Sequence, residues 1–145
     1  MSVKLPVEPG MIHVFAGAVG DTDPVYVRQW SASPGTPLIS PPTFSRVAEN
    51  FDTDHEFRAT PDGGSVPLGG TADRLHAEQH FEYLRPIRAG ELLTAITTPG
   101  RTWTKTGRTG VLHFSEMVTE FIDDSDEVVI RSTKVSVRIE QLEAP

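Results

Sequence analysis

The second half of the chain alternates apolar and polar side chains, and this pattern restricts the fold more than any other feature of the sequence. From Leu75 onward the alternation is interrupted by short segments that are typical of turns. A period of two places every second side chain on the same face of a strand, so the pattern predicts an antiparallel meander. The predicted strands are Leu75–Leu84, Leu92–Thr98, Thr102–Thr106, Val111–Ile122 and Val129–Ile139, with a bulge or bend at Gly100.

One segment before this meander predicts a central helix, Ser40–Phe51. Its two prolines suit a helix entrance because proline lacks the N–H that would be unpaired there, and Ser40 is a suitable cap for the first turn. The apolar residues follow the i, i+3, i+4, i+7 rule of an amphipathic helix, while the polar residues between them point elsewhere. The apolar stripe consists of Phe44, Val47, Ala48 and Phe51; the polar residues are Ser45, Arg46, Glu49 and Asn50.

The first forty residues predict one further helix between irregular segments. Residues 1–8 are interpreted as a first strand or a loose arm, and Pro9-Gly10 opens a helix that Gly20 ends. Its apolar face is predicted to contain Met11, Val14, Phe15 and Ala18. A turn at Gly20–Pro24, an undecided piece at Val25–Trp30, a proline-rich loop at Ser31–Pro42 and a long polar connection at residues 52–74 complete the chain.

Length, charge and composition exclude several classes of protein. A chain of 145 residues predicts a single domain, residues 1–145, with room for a real core. The sequence has no cysteine, which excludes disulfides, thiolate metal sites and a cysteine nucleophile and fits a reducing compartment, the cytoplasm. A net charge of −7 argues against nucleic acid as a partner, and no long apolar segment suggests membrane spanning.

Four separated blocks of sequence resemble the N-terminal-type domain of the MaoC-like dehydratases. These blocks are FAGAVGDTDPVY (Phe15–Tyr26), PPTF (Pro41–Phe44), LHAEQHFEYLRPIRAGELL (Leu75–Leu93) and KTGRTG (Lys105–Gly110). The family includes relatives of (R)-specific enoyl-CoA hydratases and of heterodimeric (3R)-hydroxyacyl-ACP dehydratases. The resemblance implies an α+β hot-dog fold, in which a curled antiparallel sheet wraps a central helix.

The resemblance also identifies positions where the catalytic groups of the family are missing. Catalytic members carry the pattern D-x-N-P-x-H and a His-Gly pair at the helix entrance, whose first amides act as an oxyanion hole. Here Asp21 falls at the acidic position and Tyr26 stands where the histidine is expected, while Pro41 and Pro42 replace the His-Gly pair. A phenol with a reference pKa near ~10 is a poor general base, and proline has no amide proton to donate.

Each of these two losses would cost roughly two to four orders of magnitude in rate. The Thr43 amide, one residue deeper, is a partial substitute for the missing donor. Asp21 alone is also compatible with a simple turn residue, and Tyr26 with a packed aromatic residue. The resemblance therefore implies a substrate-binding half in which Tyr26, Pro42 and Thr43 contact the ligand, with Asp21 as the one candidate catalytic group.

Other candidate residues lie in the predicted meander. His76 and His80 share a strand face, but a third metal ligand with convincing spacing is missing, so no metal site is predicted. His76 is placed near the ligand groove. The basic residues Arg101, Lys105 and Arg108 around Trp103 are interpreted either as a solvated hairpin tip or as contacts to coenzyme A phosphates or an acyl carrier protein, with Arg85 and Arg88 as alternatives.

Three functions stay open on the sequence alone. The leading hypothesis is an acyl-thioester-binding, non-catalytic subunit of an (R)-specific hydro-lyase, using acyl-CoA or acyl-ACP without a cofactor and pairing with a second hot-dog domain in a homodimer or heterodimer. The first alternative is a self-sufficient homodimeric hydratase, or a hot-dog thioesterase using Glu49. The second is a stand-alone acyl-CoA-binding protein.

Overall fold

The computed structural model describes residues 2–26, 38–51, 74–107 and 110–141. Five strands form one antiparallel sheet in the order β1-β3-β4-β5-β2. They are β1 (Ser2–Pro6), β2 (Arg74–Tyr83), β3 (Leu92–Gly107), β4 (Gly110–Ile122) and β5 (Val128–Gln141). The alternating segments of the sequence are therefore strands. The predicted meander holds for β3, β4 and β5 but was wrong for β2, which lies beside β5 instead of β3. The residues assigned to a first strand or loose arm form β1, which pairs with β3 in the register Val3 to Ala95.

The contacts between residues in space divide the chain into two compact units. Unit 1 contains Met1–Asp52, Phe81–Ile96 and Glu120–Arg131, and unit 2 contains Thr53–His80, Thr97–Thr119 and Ser132–Pro145. The long strands contribute residues to both units. The single domain over residues 1–145 stays a prediction.

Unit 1 holds the main apolar cluster of the described residues. Leu5, Ile12, Phe44, Leu93 and Val129 are completely buried in it. Phe15 of the first helix meets Phe44 edge to face, with the ring centroids 5.6 Å apart. Aromatic pairs in this arrangement are favourable beyond their buried area. The contact therefore joins the first helix to the segment that follows the paired prolines.

The first helix, α1, spans Pro9–Ala18, as the sequence predicts, but it buries a different face. Ile12 and Ala16 are the buried residues, whereas Val14 is 69% exposed and Ala18 is also exposed. The predicted face was therefore wrong in half of its members. Gly20, at φ 74°, ends the helix in a Schellman arrangement, in which Asp21 N–H donates to the Ala16 carbonyl (2.8 Å) and Gly20 N–H to the Gly17 carbonyl (3.2 Å).

The predicted central helix begins later and winds more tightly than expected. It is a 3-10 helix over Phe44–Phe51, so Pro41 and Pro42 precede it and Ser40 is too far away to cap its first turn. The Ser40 N–H instead donates to the Ile87 carbonyl (2.9 Å). With three residues per turn, Ser45 lines up with Ala48, and both are buried, although the α-helical pattern placed Ser45 on the polar side.

Unit 2 contains the strand segments around Gly100. A Cβ at Gly100 would lie 2.8 Å from the Glu116 Cβ, so these residues face each other across β3 and β4. Three residues further on, Trp103 stacks on Phe114, with ring centroids 5.1 Å apart. β3 runs through this region without a break, so Leu92–Thr98 and Thr102–Thr106, which the sequence predicts as two strands, are one strand. A bulge at Gly100 stays a prediction.

Candidate functional site

The turn after α1 uses both of its carboxylates to hold the backbone. Asp21 Oδ1 accepts a hydrogen bond from the Asp23 N–H (3.0 Å), and Asp23 Oδ1 accepts one from the Val25 N–H (2.9 Å). Asparagine and aspartate commonly stabilise turns in this way. Asp21 therefore has a structural task in the turn, and a catalytic role for it stays a prediction.

Tyr26 is half-buried against the core of unit 1. Its N–H donates to the Asp23 carbonyl (3.0 Å), and its carbonyl accepts a hydrogen bond from His13 Nδ1 (3.0 Å). Burial raises the pKa of the Tyr26 phenol above its ordinary value of 10.0, and the charges of Asp21 and Asp23 raise the pKa further. The phenol is therefore neutral at cellular pH, and the phenolate that could accept a proton is even rarer than for an ordinary tyrosine.

In the segment before the 3-10 helix, one residue has an unusual backbone conformation. Thr43 has a φ of 67°, in the left-handed region that non-glycine residues rarely adopt. Its N–H donates to the hydroxyl of Tyr83 on β2, at 3.1 Å. Pro41 and Pro42, immediately before it, have no N–H. The Thr43 amide that the sequence offered as a substitute oxyanion donor is therefore already bonded to a side chain.

Sequence reasoning did not select Tyr83 as a site residue. In the sequence, Tyr83 is one of several aromatic residues in an alternating strand, and its partner lies forty positions earlier. No local pattern relates a strand residue to a helix entrance at that separation.

Unit 2 contains the other candidate residues. His76 is exposed on β2, and its Nε2 is bonded to the Glu78 carbonyl (3.0 Å). The Lys105 Nζ lies 5.4 Å from the centre of the Phe114 ring, a cation–π contact. Arg108 lies outside the described residues. Ligand contacts by His76, Lys105 and Arg108 stay predictions.

Arg101 is paired with a carboxylate rather than presented as a free cation. Although Arg101 is 82% exposed, its Nη2 and Nε donate to the two oxygens of Glu116 at 2.7 and 3.1 Å, and its backbone N–H donates to the same carboxylate at 3.0 Å. These bonds hold the pKa of Glu116, which is only 8% exposed, below its ordinary range. Any contact of Arg101 with a phosphate would compete with this pair.

Arg85, one of the alternative phosphate contacts, is also bound by carboxylates. Its Nη1 donates to Glu91 and its Nη2 to Asp123, both at 2.8 Å. The hydrogen bond from Arg85 is the main reason why the pKa of Asp123 is lowered. Arg85 thus ties the turn after β2 to the turn before β5, and this favours a structural role over phosphate binding.

Described residues of unit 2 line two concave regions of similar size. One has a volume of about 430 Å³ and the other about 420 Å³, and Trp103 lines both. The first also contains His113, Phe114 and Arg138; the second contains His80, Arg101 and Glu116. They combine aromatic surface with charged groups.

Within residues 2–26, 38–51, 74–107 and 110–141, histidine and acidic side chains do not form a group of three or more that could hold a metal ion. The expectation that the protein uses no cofactor stays a prediction. In the same ranges no helix is both long enough and apolar enough to cross a membrane.

Solved structures with the same architecture show which fold the chain has. The C-terminally truncated HadBC (3R-hydroxyacyl-ACP dehydratase) complex from Mycobacterium tuberculosis has a chain that matches with a TM-score of 0.65 and 21% identity, over 94% of both chains. A chain of the ChsH1-ChsH2 complex from the same organism matches with a TM-score of 0.65 and 19% identity, over 99% of this chain and 84% of that one. At these identities the likeness concerns the fold, and it confirms the predicted α+β hot-dog fold, here with a sheet that is not closed.

The family follows from the sequence match. The chain belongs to the family described as FAS1-like, dehydratase domain region, whose sequence model matches residues 1–132. This confirms the resemblance to the MaoC-like dehydratases.

Curated relatives carry the name UPF0336 protein. One from Streptomyces griseus is 38% identical over 90 residues, which is 60% of this chain and 56% of that protein. One from Clavibacter michiganensis is 34% identical over 109 residues, which is 74% of this chain and 70% of that protein. The match thus spans little more than half the length of the Streptomyces relative.

Proposed function

We propose that this chain is the acyl-thioester-binding, non-catalytic subunit of an (R)-specific enoyl-CoA hydratase or (3R)-hydroxyacyl dehydratase complex. The observation that carries the proposal is the state of Tyr26, which stands where catalytic relatives have histidine. Its phenol has a raised pKa, so it is unsuited to take a proton from water at neutral pH. The dehydratase-type fold is kept, while the group that would move the proton is not.

The helix entrance supports the same proposal. Hydration of an enoyl thioester needs donors for the oxygen on which negative charge develops. Pro41 and Pro42 cannot donate, and the Thr43 N–H is taken by Tyr83. The chain therefore lacks the family's arrangement of backbone donors at the position where that charge would form.

The ligand in this proposal is an acyl-CoA or acyl-ACP thioester, bound without a cofactor. The partner is a second hot-dog domain that supplies the Asp/His pair, and solved complexes of the same fold, HadBC and ChsH1-ChsH2, support this arrangement. The absence of cysteine fits the reducing cytoplasm as the site of action. The thioesterase alternative depends on the Glu49 side chain, which lies outside what the structure describes.

The test is an assay of crotonyl-CoA hydration by the purified chain, alone and mixed with a hot-dog subunit that carries D-x-N-P-x-H. We expect no turnover above background from the chain alone and turnover that rises with added chain in the mixture. A partner in which the motif histidine is replaced by alanine is the control and should stay inactive in the mixture. Brisk hydration by the chain alone would refute the proposal.

A further inference from the structure

Tyr83 combines a hydrogen bond to the backbone with an exposed position. The Thr43 N–H donates to its hydroxyl at 3.1 Å, and the residue is nevertheless 47% exposed. An amide N–H has no lone pair to offer, so the phenol oxygen must be the acceptor in this bond. The phenol keeps its own proton, and among the residues that the structure describes this proton has no acceptor.

The ring of Tyr83 is held in place by its neighbour on the same strand face. Phe81 stacks on it, with ring centroids 6.0 Å apart and planes inclined by 23°. A stacked ring loses little further freedom when a ligand binds, so a donor carried on it is already oriented.

A second polar group, the hydroxyl of Ser45, lies close to Thr43 in the sequence and has no hydrogen-bond partner among the described residues. Ser45 is two residues beyond Thr43 and is 2% exposed. Buried hydroxyls are normally bonded, because an unbonded one loses its bonds to water without replacement. A buried hydroxyl without a partner so close to Thr43 is the kind of group that a ligand or a bound water satisfies.

A phenol that accepts an N–H bond becomes a stronger donor, because the two hydrogen bonds polarise each other. We propose that the Tyr83 hydroxyl donates to the carbonyl oxygen of the bound thioester and so replaces the backbone donor that Pro41 and Pro42 removed. The Thr43 amide acts through it: Thr43 N–H to Tyr83 Oη, and Tyr83 O–H to the thioester oxygen. The inference rests on the proposed function, since it names the donor in the same site.

The experiment compares two ligands by isothermal titration calorimetry. The first is crotonyl-CoA, and the second is the S-crotyl thioether of coenzyme A, which lacks the carbonyl oxygen and is otherwise closely similar. We expect the wild-type protein to bind the thioester roughly three- to tenfold more tightly than the thioether, the contribution of one neutral hydrogen bond. In Tyr83→Phe the ring and its stacking remain, the preference disappears, and the affinity for the thioether is unchanged.

A second measurement on the wild-type protein does not depend on the variant. We expect the NMR signal of the Thr43 amide to move further on binding the thioester than on binding the thioether, because the thioester polarises the phenol that this amide bonds.

The possible failures are distinguishable. Wild-type protein that binds neither ligand, alone or with a catalytic partner, overturns the proposed function and this inference together. A Tyr83→Phe variant that keeps the preference, or binds the thioester more tightly, overturns the inference alone. The second result would identify Tyr83 as a plug over the Thr43 amide.

Discussion

In the proposed function, position 26 carries a phenol where catalytic relatives carry an imidazole, and this changes what the group can do with a proton. Burial and the charges of Asp21 and Asp23 all disfavour the phenolate, so Tyr26 resists ionisation more strongly than a tyrosine in water. The protein contains two tyrosines, Tyr26 and Tyr83. In Tyr83→Phe, the absorbance of phenolate therefore reports on Tyr26 alone.

We predict that this single phenol titrates above pH 10 in the folded protein and at its ordinary value in urea. Since the folded-state pKa is raised, the contribution to stability is complete below the unfolded pKa and is lost as pH rises through the folded pKa. The free energy of unfolding of the same variant, measured in urea, should accordingly decrease as pH rises through this alkaline range. A phenol that titrates below 10 in the folded protein would contradict the assignment of Tyr26 as a neutral group.

At the scale of the elements, Gly100 sets how closely β3 and β4 approach. A methyl group there would meet the Glu116 Cβ at 2.8 Å and the Val118 Cγ2 at 3.2 Å. The first of these atoms is fixed to the backbone, so the clash is relieved by moving a strand. We predict that Gly100→Ala destabilises the protein by about 1–3 kcal/mol in urea unfolding, the usual cost of overpacking.

The matched control is Gly17→Ala in α1, where the added methyl meets nothing within 4 Å. Alanine favours a helix interior over glycine by about 0.5–1 kcal/mol, so this variant should be more stable than the wild type. If both substitutions had the same sign, close packing at Gly100 would not be the cause.

The elements differ in how far the sequence could predict them. Alternation predicts a strand because the period of two is set by the strand itself, and the alternating segments form β2 to β5. The pattern did not predict that β3 continues through Gly100 or that β2 pairs with β5, because a local period carries no information about strand order. The central helix begins four residues later than predicted, and its apolar residues follow the 3.6 period of an α-helix, so its 3-10 form and the burial of Ser45 were not predictable from the pattern. The Thr43–Tyr83 hydrogen bond joins distant parts of the chain, and a local pattern carries no information about it.

At the scale of the whole molecule, the sheet ends in two edges of different character. β1 is five residues long, contains Pro6, and has the Lys4 Nζ bonded to Thr94 Oγ1 at 2.6 Å. Short strands, proline and lysine are devices that protect an edge from pairing. β2 is ten residues long and has no proline and no lysine. We therefore expect the second hot-dog domain to pair along β2.

This expectation is testable with proline at two adjacent positions of β2. Successive backbone N–H groups of a strand point to opposite sides within the sheet, so either Ala77 or Glu78 directs its N–H toward β5 and the other directs it outward. Proline removes the donor and its ring disturbs pairing on that side. We predict that one of Ala77→Pro and Glu78→Pro lowers the urea midpoint by breaking the bond to β5. The other should keep its midpoint but lose association in sedimentation velocity, alone or with a catalytic partner. If both variants associate like the wild type, the two domains meet elsewhere and β2 is a free edge.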